Sequence, residues 1–233
     1  MWGSFQIGLF DAADLAALGW LVLAWGLLGR LSEHPPASRP SVSVLMSSYR
    51  REWMRQMVTR DPRIFDSGAV DSLRVGSTFY ASACMIAIGG IVATIGNPDS
   101  LLGLARNLTD VRPAAIVWQI KLMIVLAFVI NAFLKFVWAH RLFGYCLIVM
   151  AAVPNDVTDA AAYPRAAQAA ELNIFANRAF NKGLISVYFA LTALAFLLGA
   201  LALALATTAT FALMIRREFL SHSRMVLLQS TPK

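Results

Sequence analysis

The chain has 233 residues, of which 58% are hydrophobic and only 14% charged, with a formal net charge of +7. Soluble domains carry about 25% charged residues, so this composition excludes an ordinary water-soluble globular protein and points to a lipid environment. Two cysteines, both inside apolar runs and without CxxC spacing, exclude a disulfide scaffold and a zinc site built on thiolates.

The first stretch, MWGSFQIGLFDAAD, has no Lys or Arg among its first ten residues, and Asp11 and Asp14 interrupt its apolar character. It does not read as a cleaved signal peptide, so the apolar run at 15–30 is expected to remain as a membrane span. Further candidate spans follow at 76–95, 116–138 and 187–213. Each approaches or exceeds the roughly 20 residues that cross a hydrocarbon core of about 30 Å. The period-two alternation of a transmembrane barrel is missing. The expected fold is all-α: a polytopic membrane helix bundle of four transmembrane helices in one domain over residues 1–221, with a C-terminal tail at 222–233.

Between the spans, three segments read as helices of a cytoplasmic layer. In 43–60, Leu45, Tyr49, Trp53 and Met57 recur every four residues while Arg51 and Arg55 lie on another face, the pattern of an amphipathic helix. The apolar pattern of span three runs on through 139–152 to Pro154, so a continuous helix over 114–152 is expected. The alanine-rich segment 163–182 opens with Pro164 near its start, a position that suits proline. An apolar helix extension in water needs a cover, and the other two segments are the expected cover. The basic helix 43–60 is also expected to meet anionic lipid headgroups.

Charge sets the expected orientation. Residues 30–74 hold eight arginines, whereas the loop at 97–113 holds Arg106 and Arg112. Positive charge stays on the cytoplasmic side, which puts the first loop inside and the N-terminus outside. Arg141, Arg165, Arg178 and Lys182 agree. The segment RREFLSHSR (216–224) disagrees, because four spans place its three arginines outside. A fifth crossing repairs this, and its one candidate in sequence, 142–153, is too short.

Span three carries the polar residues that call for explanation. Trp118 and Trp138 are twenty residues apart, about 30 Å along a helix, which matches two aromatic belts. Against that ruler Lys121 and Lys135 lie one turn inside each interface, where a lysine extends its ammonium to the headgroups. Alternatively Lys121 pairs with Asp11 or Asp14 at the same level of span one. Asn131 lies too deep for this and is expected to bond a neighbouring helix. Asp11, Asp14, Lys121 and Asn131 form the candidate intramembrane site, and Trp118, Trp138 and Lys135 the interface anchors. A second polar cluster, Asp61, Arg63, Asp66, Arg178, Asn181 and Lys182, is expected to cap helices and form ion pairs in the cytoplasmic layer, or alternatively to line a vestibule. No HExxH, GxSxG or phosphate-binding glycine loop occurs, so no catalytic residue, metal or cofactor is expected, and the basic stripe at 50–63 suits lipid or an acidic partner rather than nucleic acid.

Several stretches in order, REWMRQMVTRDPRIFDSGAVDSL, TFYASACMIAIGG, FLKFVWAHRLFGYC, RAFNKGLISVYF and RREFLS, resemble the bacterial membrane proteins of domain-of-unknown-function family 599. The resemblance covers roughly residues 30–221 and implies a polytopic protein of about four spans, with no activity to carry over. The family's FN-x-GLR stretch resembles Phe180-Asn181-Lys182-Gly183-Leu184, with Ile185 where the arginine is expected. The expected function is a non-catalytic scaffold or accessory subunit of a membrane assembly, as a homo-oligomer or within a larger complex. The alternative is an oligomeric channel or small-solute transporter.

Overall fold

The computed structural model describes residues 6–7, 10–36, 38–97, 103 and 115–229. The loop arginines Arg106 and Arg112 and the NLT sequon at 107–109 lie outside the described residues. Strands β1 (Gln6–Ile7) and β2 (Phe10–Asp11) pair antiparallel ahead of the helices. The helices are α1 (Ala12–Glu33), α2 (Val42–Met57), α3 (Ile64–Ile95), α4 (Ala115–Ala151), α5 (Ala162–Ala193), α6 (Ala200–Phe219) and α7 (His222–Leu228), with a 3-10 turn at Leu194–Leu198. The chain divides into two compact units: residues 1–30, 84–132 and 184–217, and residues 31–83, 133–183 and 218–233.

The all-α bundle is present, but the span count is five rather than four. Five helical segments are long and apolar enough to cross a membrane: Ala12–Glu33, Ile64–Ile95, Ala115–Ala151, Ala162–Leu198 and Ala200–Leu228. The extra one comes from 187–213, expected as a single span. The chain reverses there at Gly199, whose φ of 116° lies where side chains other than glycine are strained. Beyond the turn, Thr210 Oγ1 lies 2.8 Å from Thr192 Oγ1, and Arg217 donates to the Tyr188 hydroxyl at 3.2 Å. The earlier residue of α5, Tyr188, thus faces the later one of α6, Arg217, and the later Thr192 faces the earlier Thr210, which is an antiparallel hairpin. The segment 142–153 is not the extra crossing; it continues α4, a helix of 37 residues, as the unbroken apolar pattern predicts.

The hairpin also resolves the charge misfit. Glu218 Oε1 accepts from the Ser43 amide at 2.9 Å, and Arg224 Nε donates to the Pro40 carbonyl at 2.9 Å. The basic C-terminal segment therefore sits with the arginine-rich first loop. Residues 222–228 of the expected tail form helix α7, N-capped by Ser221, whose Oγ accepts from the Arg224 amide.

In the first unit α1 packs through Ala17, Leu21, Ala24 and Leu28, all buried, a spacing of four and three that keeps one face inward. Trp20 Nε1 donates to Thr208 Oγ1 at 3.1 Å, and Trp25 lies edge-on to Phe128 with centroids 5.6 Å apart. In the second unit the core joins Met54 and Met57 of α2, Phe143, Cys146 and Met150 of α4, and Ala162, Ala166, Ala169 and Ala176 of α5. The alanines explain why a segment so poor in large apolar residues packs at all: small side chains let backbones approach.

The tightest approach in that unit is at Gly183. A Cβ there would lie 2.7 Å from Cε1 of Phe136, a ring that is fully buried and stacked on Tyr80 with centroids 5.2 Å apart. Phe180 meets both rings edge-on. Gly183→Ala is expected to destabilise the protein by about 1–3 kcal/mol through overpacking, seen as a lower unfolding temperature in detergent. Adding Phe136→Leu should recover part of the loss; a Gly183→Ala protein as stable as the parent contradicts this packing.

Candidate functional site

The expected intramembrane residues belong to the first unit, and each has a partner. Asp11 Oδ1 accepts from the Asp14 amide at 2.7 Å, and Asp14 Oδ2 accepts from the Asp11 amide at 3.4 Å. This reciprocal pair is a capping box for α1. Lys121 Nζ donates to the carbonyl of Phe196 at 2.9 Å and stands 4.3 Å from the centre of that residue's ring. Phe196 lies in the 3-10 turn, where its carbonyl also accepts from the Gly199 amide at 3.1 Å, so the ammonium adds a second bond to an acceptor at the reversal. Asp11 and Asp14 add electrostatic attraction at longer range, and Phe10 stacks on the Phe196 ring at 5.9 Å.

Asn131 joins three helices. Its Oδ1 accepts from Ser186 Oγ at 3.3 Å, and Ser186 Oγ accepts from Trp25 Nε1 at 3.3 Å. Ser186, not singled out in sequence, is the middle of this chain and is buried. Of the expected anchors, Trp138 is 49% exposed and Trp118 only 2%. Protein packing, rather than a headgroup layer, surrounds the Trp118 ring. Lys135 is half-buried and makes no hydrogen bond or ion pair among the described residues.

The second polar cluster belongs to the second unit, where arginines tie helix ends together. Arg63 donates to the carbonyls of Val153, Pro154 and Val58 at 2.7, 2.8 and 3.2 Å. Those carbonyls follow the last turns of α4 and α2, where a positive charge is also favoured by the helix dipole. Asp66 is fully buried; its Oδ1 accepts from Trp53 Nε1 at 2.7 Å and from Arg60. Lys182 pairs with Glu33 at 3.0 Å, Asn181 Nδ2 donates to Ser43 Oγ at 3.4 Å, and Arg178 lies over the Phe175 ring at 5.7 Å. Asp61 is exposed and makes no hydrogen bond or ion pair among the described residues.

The most unusual group here was hidden in sequence. Arg50 of α2 points inward and donates to Oδ1 of Asn173 and, at 2.9 Å, to Oδ1 of Asn177. Asn173 is fully buried, and its Nδ2 donates to Cys146 Sγ at 3.8 Å. Burial pushes the Arg50 guanidinium below its ordinary value, because the charged form loses water. Two amide oxygens stand where a carboxylate usually does. Buried polar atoms without a protein partner cluster in this unit: Arg50 Nε, Arg63 Nε, Asp66 Oδ2 and Glu33 Oε1. No group of three His, Cys, Asp or Glu side chains suited to a metal occurs among the described residues. The arrangement crosslinks and caps helices.

Taken together, five long apolar helices tied by internal polar bonds define a multi-pass helical membrane protein. The model of the family described as "Protein of unknown function, DUF599" matches residues 16–223, and the chain belongs to that family. No curated protein and no solved structure matches the chain. In the stretch that resembles the family's FN-x-GLR, Phe180, Asn181, Lys182 and Gly183 each have a contact described above.

Two substitutions test these ties. Lys121→Met should lower stability in detergent by roughly 1.5–3 kcal/mol, the worth of a hydrogen bond to a charged group. Arg63→Met should cost a similar amount, roughly 1.5–3 kcal/mol for charged hydrogen bonds, and speed proteolysis within 154–161. Unchanged unfolding temperature and cleavage rate in either variant contradicts its assigned role.

Proposed function

We propose that this protein is a non-catalytic scaffold or accessory subunit of a larger assembly in the bacterial inner membrane, with its N-terminus outside and the arginine-rich first loop inside. The observation that carries this reading is the use made of polar groups in the apolar helices. Lys121, Asn131, Ser186, Trp25, Thr192 and Thr210 are all engaged within the chain. A transport path needs polar groups available to a solute, whereas a scaffold needs a rigid frame, and these bonds make the frame rigid.

The exposed side of α2 supports a protein partner. Arg51 pairs with Glu171 at 2.6 Å and Arg55 with Glu52 at 3.2 Å. Such a mixed-charge surface suits a protein of complementary pattern more than a uniformly anionic sheet of headgroups, although the exposed Arg39 ahead of α2 remains available to lipid.

Purification from native membranes in mild detergent, with native mass spectrometry, tests the reading together with solute flux in proteoliposomes. The scaffold predicts a stoichiometric complex with a different protein and no flux above protein-free vesicles. Flux that is carried by the purified chain alone and lost in Lys121→Met overturns it in favour of a channel.

A further inference from the structure

Two neighbouring helices of the second unit carry cations that no acid of the chain answers. Thr78 Oγ1 of α3 lies 3.0 Å from His140 Nδ1 of α4, and Tyr80 stacks on Phe136. Residues rising along α3 thus meet residues falling along α4, and a groove runs between the two antiparallel helices. Arg74 stands one turn from Thr78, and Arg141 stands next to His140. Arg141 is exposed and donates to the Tyr145 hydroxyl at 3.2 Å. Trp138, Arg141 and Tyr145 follow one another by three and four residues, which puts them on one face of α4, and all three are exposed. Lys135, three residues before Trp138, is half-buried. Among the described residues neither Lys135 nor Arg141 forms an ion pair, and Arg74 reaches only Asp71, at 3.8 Å between two exposed groups, a weak pairing in solvent.

Three observations say what answers these charges. The first is their level. On α3 no charged residue follows Arg74 as far as Ile95, a run of 21 residues (75–95). That is about 32 Å of helix, close to the thickness of a hydrocarbon core. On α4 the charge-free run 122–134 ends at Lys135. Each helix marks an edge of the apolar layer by itself, and the Thr78–His140 contact brings the two marks side by side. The second observation is the pair of rings. Trp and Tyr collect where hydrocarbon gives way to headgroups, and Trp138 and Tyr145 bracket Arg141 on its own face. The third is the contrast with α2, whose exposed Arg51 and Arg55 are already paired with Glu171 and Glu52.

We infer that this groove between α3 and α4 binds the phosphate of an anionic phospholipid, with Arg141 and Arg74 as its cations. A phosphate offers the oxygens that a guanidinium's fixed fork of donors fits, and in a bilayer it lies at the edge of the apolar layer, where these side chains stand. Lys135 joins from one turn deeper, its stem long enough to carry the ammonium outward. The acyl chains continue over Leu134, which is exposed on the same face as Trp138, one turn into the apolar run. The lipid has to bring net negative charge, because a zwitterionic headgroup carries an ammonium of its own and leaves the excess of cations as it was. The inference requires only that the chain spans a membrane, and it holds for a scaffold and a channel alike.

Native mass spectrometry of the full-length protein with added lipid tests it. Phosphatidylglycerol should stay bound to the parent chain under detergent conditions that strip phosphatidylcholine. Arg141→Gln should weaken that binding about fivefold, the effect of one cation near an anionic lipid surface, and Arg74→Gln with Arg141→Gln roughly 25-fold. The unfolding temperature without lipid should stay unchanged in both, since neither cation holds a helix end. Arg141→Lys should keep most of the binding, and Arg51→Gln with Arg55→Gln, on α2, all of it. Equal retention of the two lipids, full retention in the double groove variant, or an equal loss in the α2 variant overturns the inference. Displacement of the lipid by glycerol 3-phosphate overturns it too, because the site would then belong to a soluble phosphate.

Discussion

A backbone taken out of water must find its hydrogen-bond partners within the protein, and every departure from helix in an apolar segment has to meet that demand. The bond from Lys121 to the Phe196 carbonyl is where this chain meets it most directly. The turn between α5 and α6 tightens to a 3-10 geometry and reverses at Gly199, whose amide donates to the Phe196 carbonyl at 3.1 Å. An ammonium from α4 gives that carbonyl a second donor, and the Phe196 ring adds a cation–π contact. A lysine in an apolar run therefore does not by itself announce a transport site; here it makes a reversal tolerable.

The second unit meets the same demand with arginine. Arg63 gathers three carbonyls at the ends of two helices, and Arg50 is held by two amide oxygens instead of a carboxylate. A guanidinium suits both tasks because its donors spread in a fixed plane. Arg50 enforces a particular register of α2 on α5, since one guanidinium reaches both asparagine oxygens in a single alignment of the two helices. Around these ties the alanine-rich face of α5 and Gly183 allow the close packing that larger side chains would forbid.

Much of this was legible in sequence. The apolar run from Trp118 to Met150 has no proline, and α4 (Ala115–Ala151) follows the helix expected over 114–152 to within one residue at each end. Asn131 was expected to bond another helix and does. The hairpin was not legible, because Leu197-Leu198-Gly199-Ala200 contains none of the proline, asparagine or aspartate that mark turns, and one glycine in an apolar run reads as tolerated. Arg50 was missed for a geometric reason. Leu45, Tyr49, Trp53 and Met57 advance by four each time, and a helix of 3.6 residues per turn carries such a series steadily around its circumference. The buried positions are Ser47, Met54 and Met57, with Arg50 among them by spacing. Gly183 could not be read at all without Phe136, since a close approach involves two segments.

The hairpin is the claim on which the span count, the placement of the C-terminal arginines and the role of Lys121 all depend. Membrane-impermeant thiol labelling of Ser38→Cys and Ser223→Cys, both exposed, from each side of sealed vesicles tests it. Two crossings between Ala162 and Leu228 place the two residues on the same side, so both should label in vesicles of one orientation and neither in the other. Labelling from opposite sides would mean that this segment crosses only once, and the turn at Gly199 would have to be abandoned.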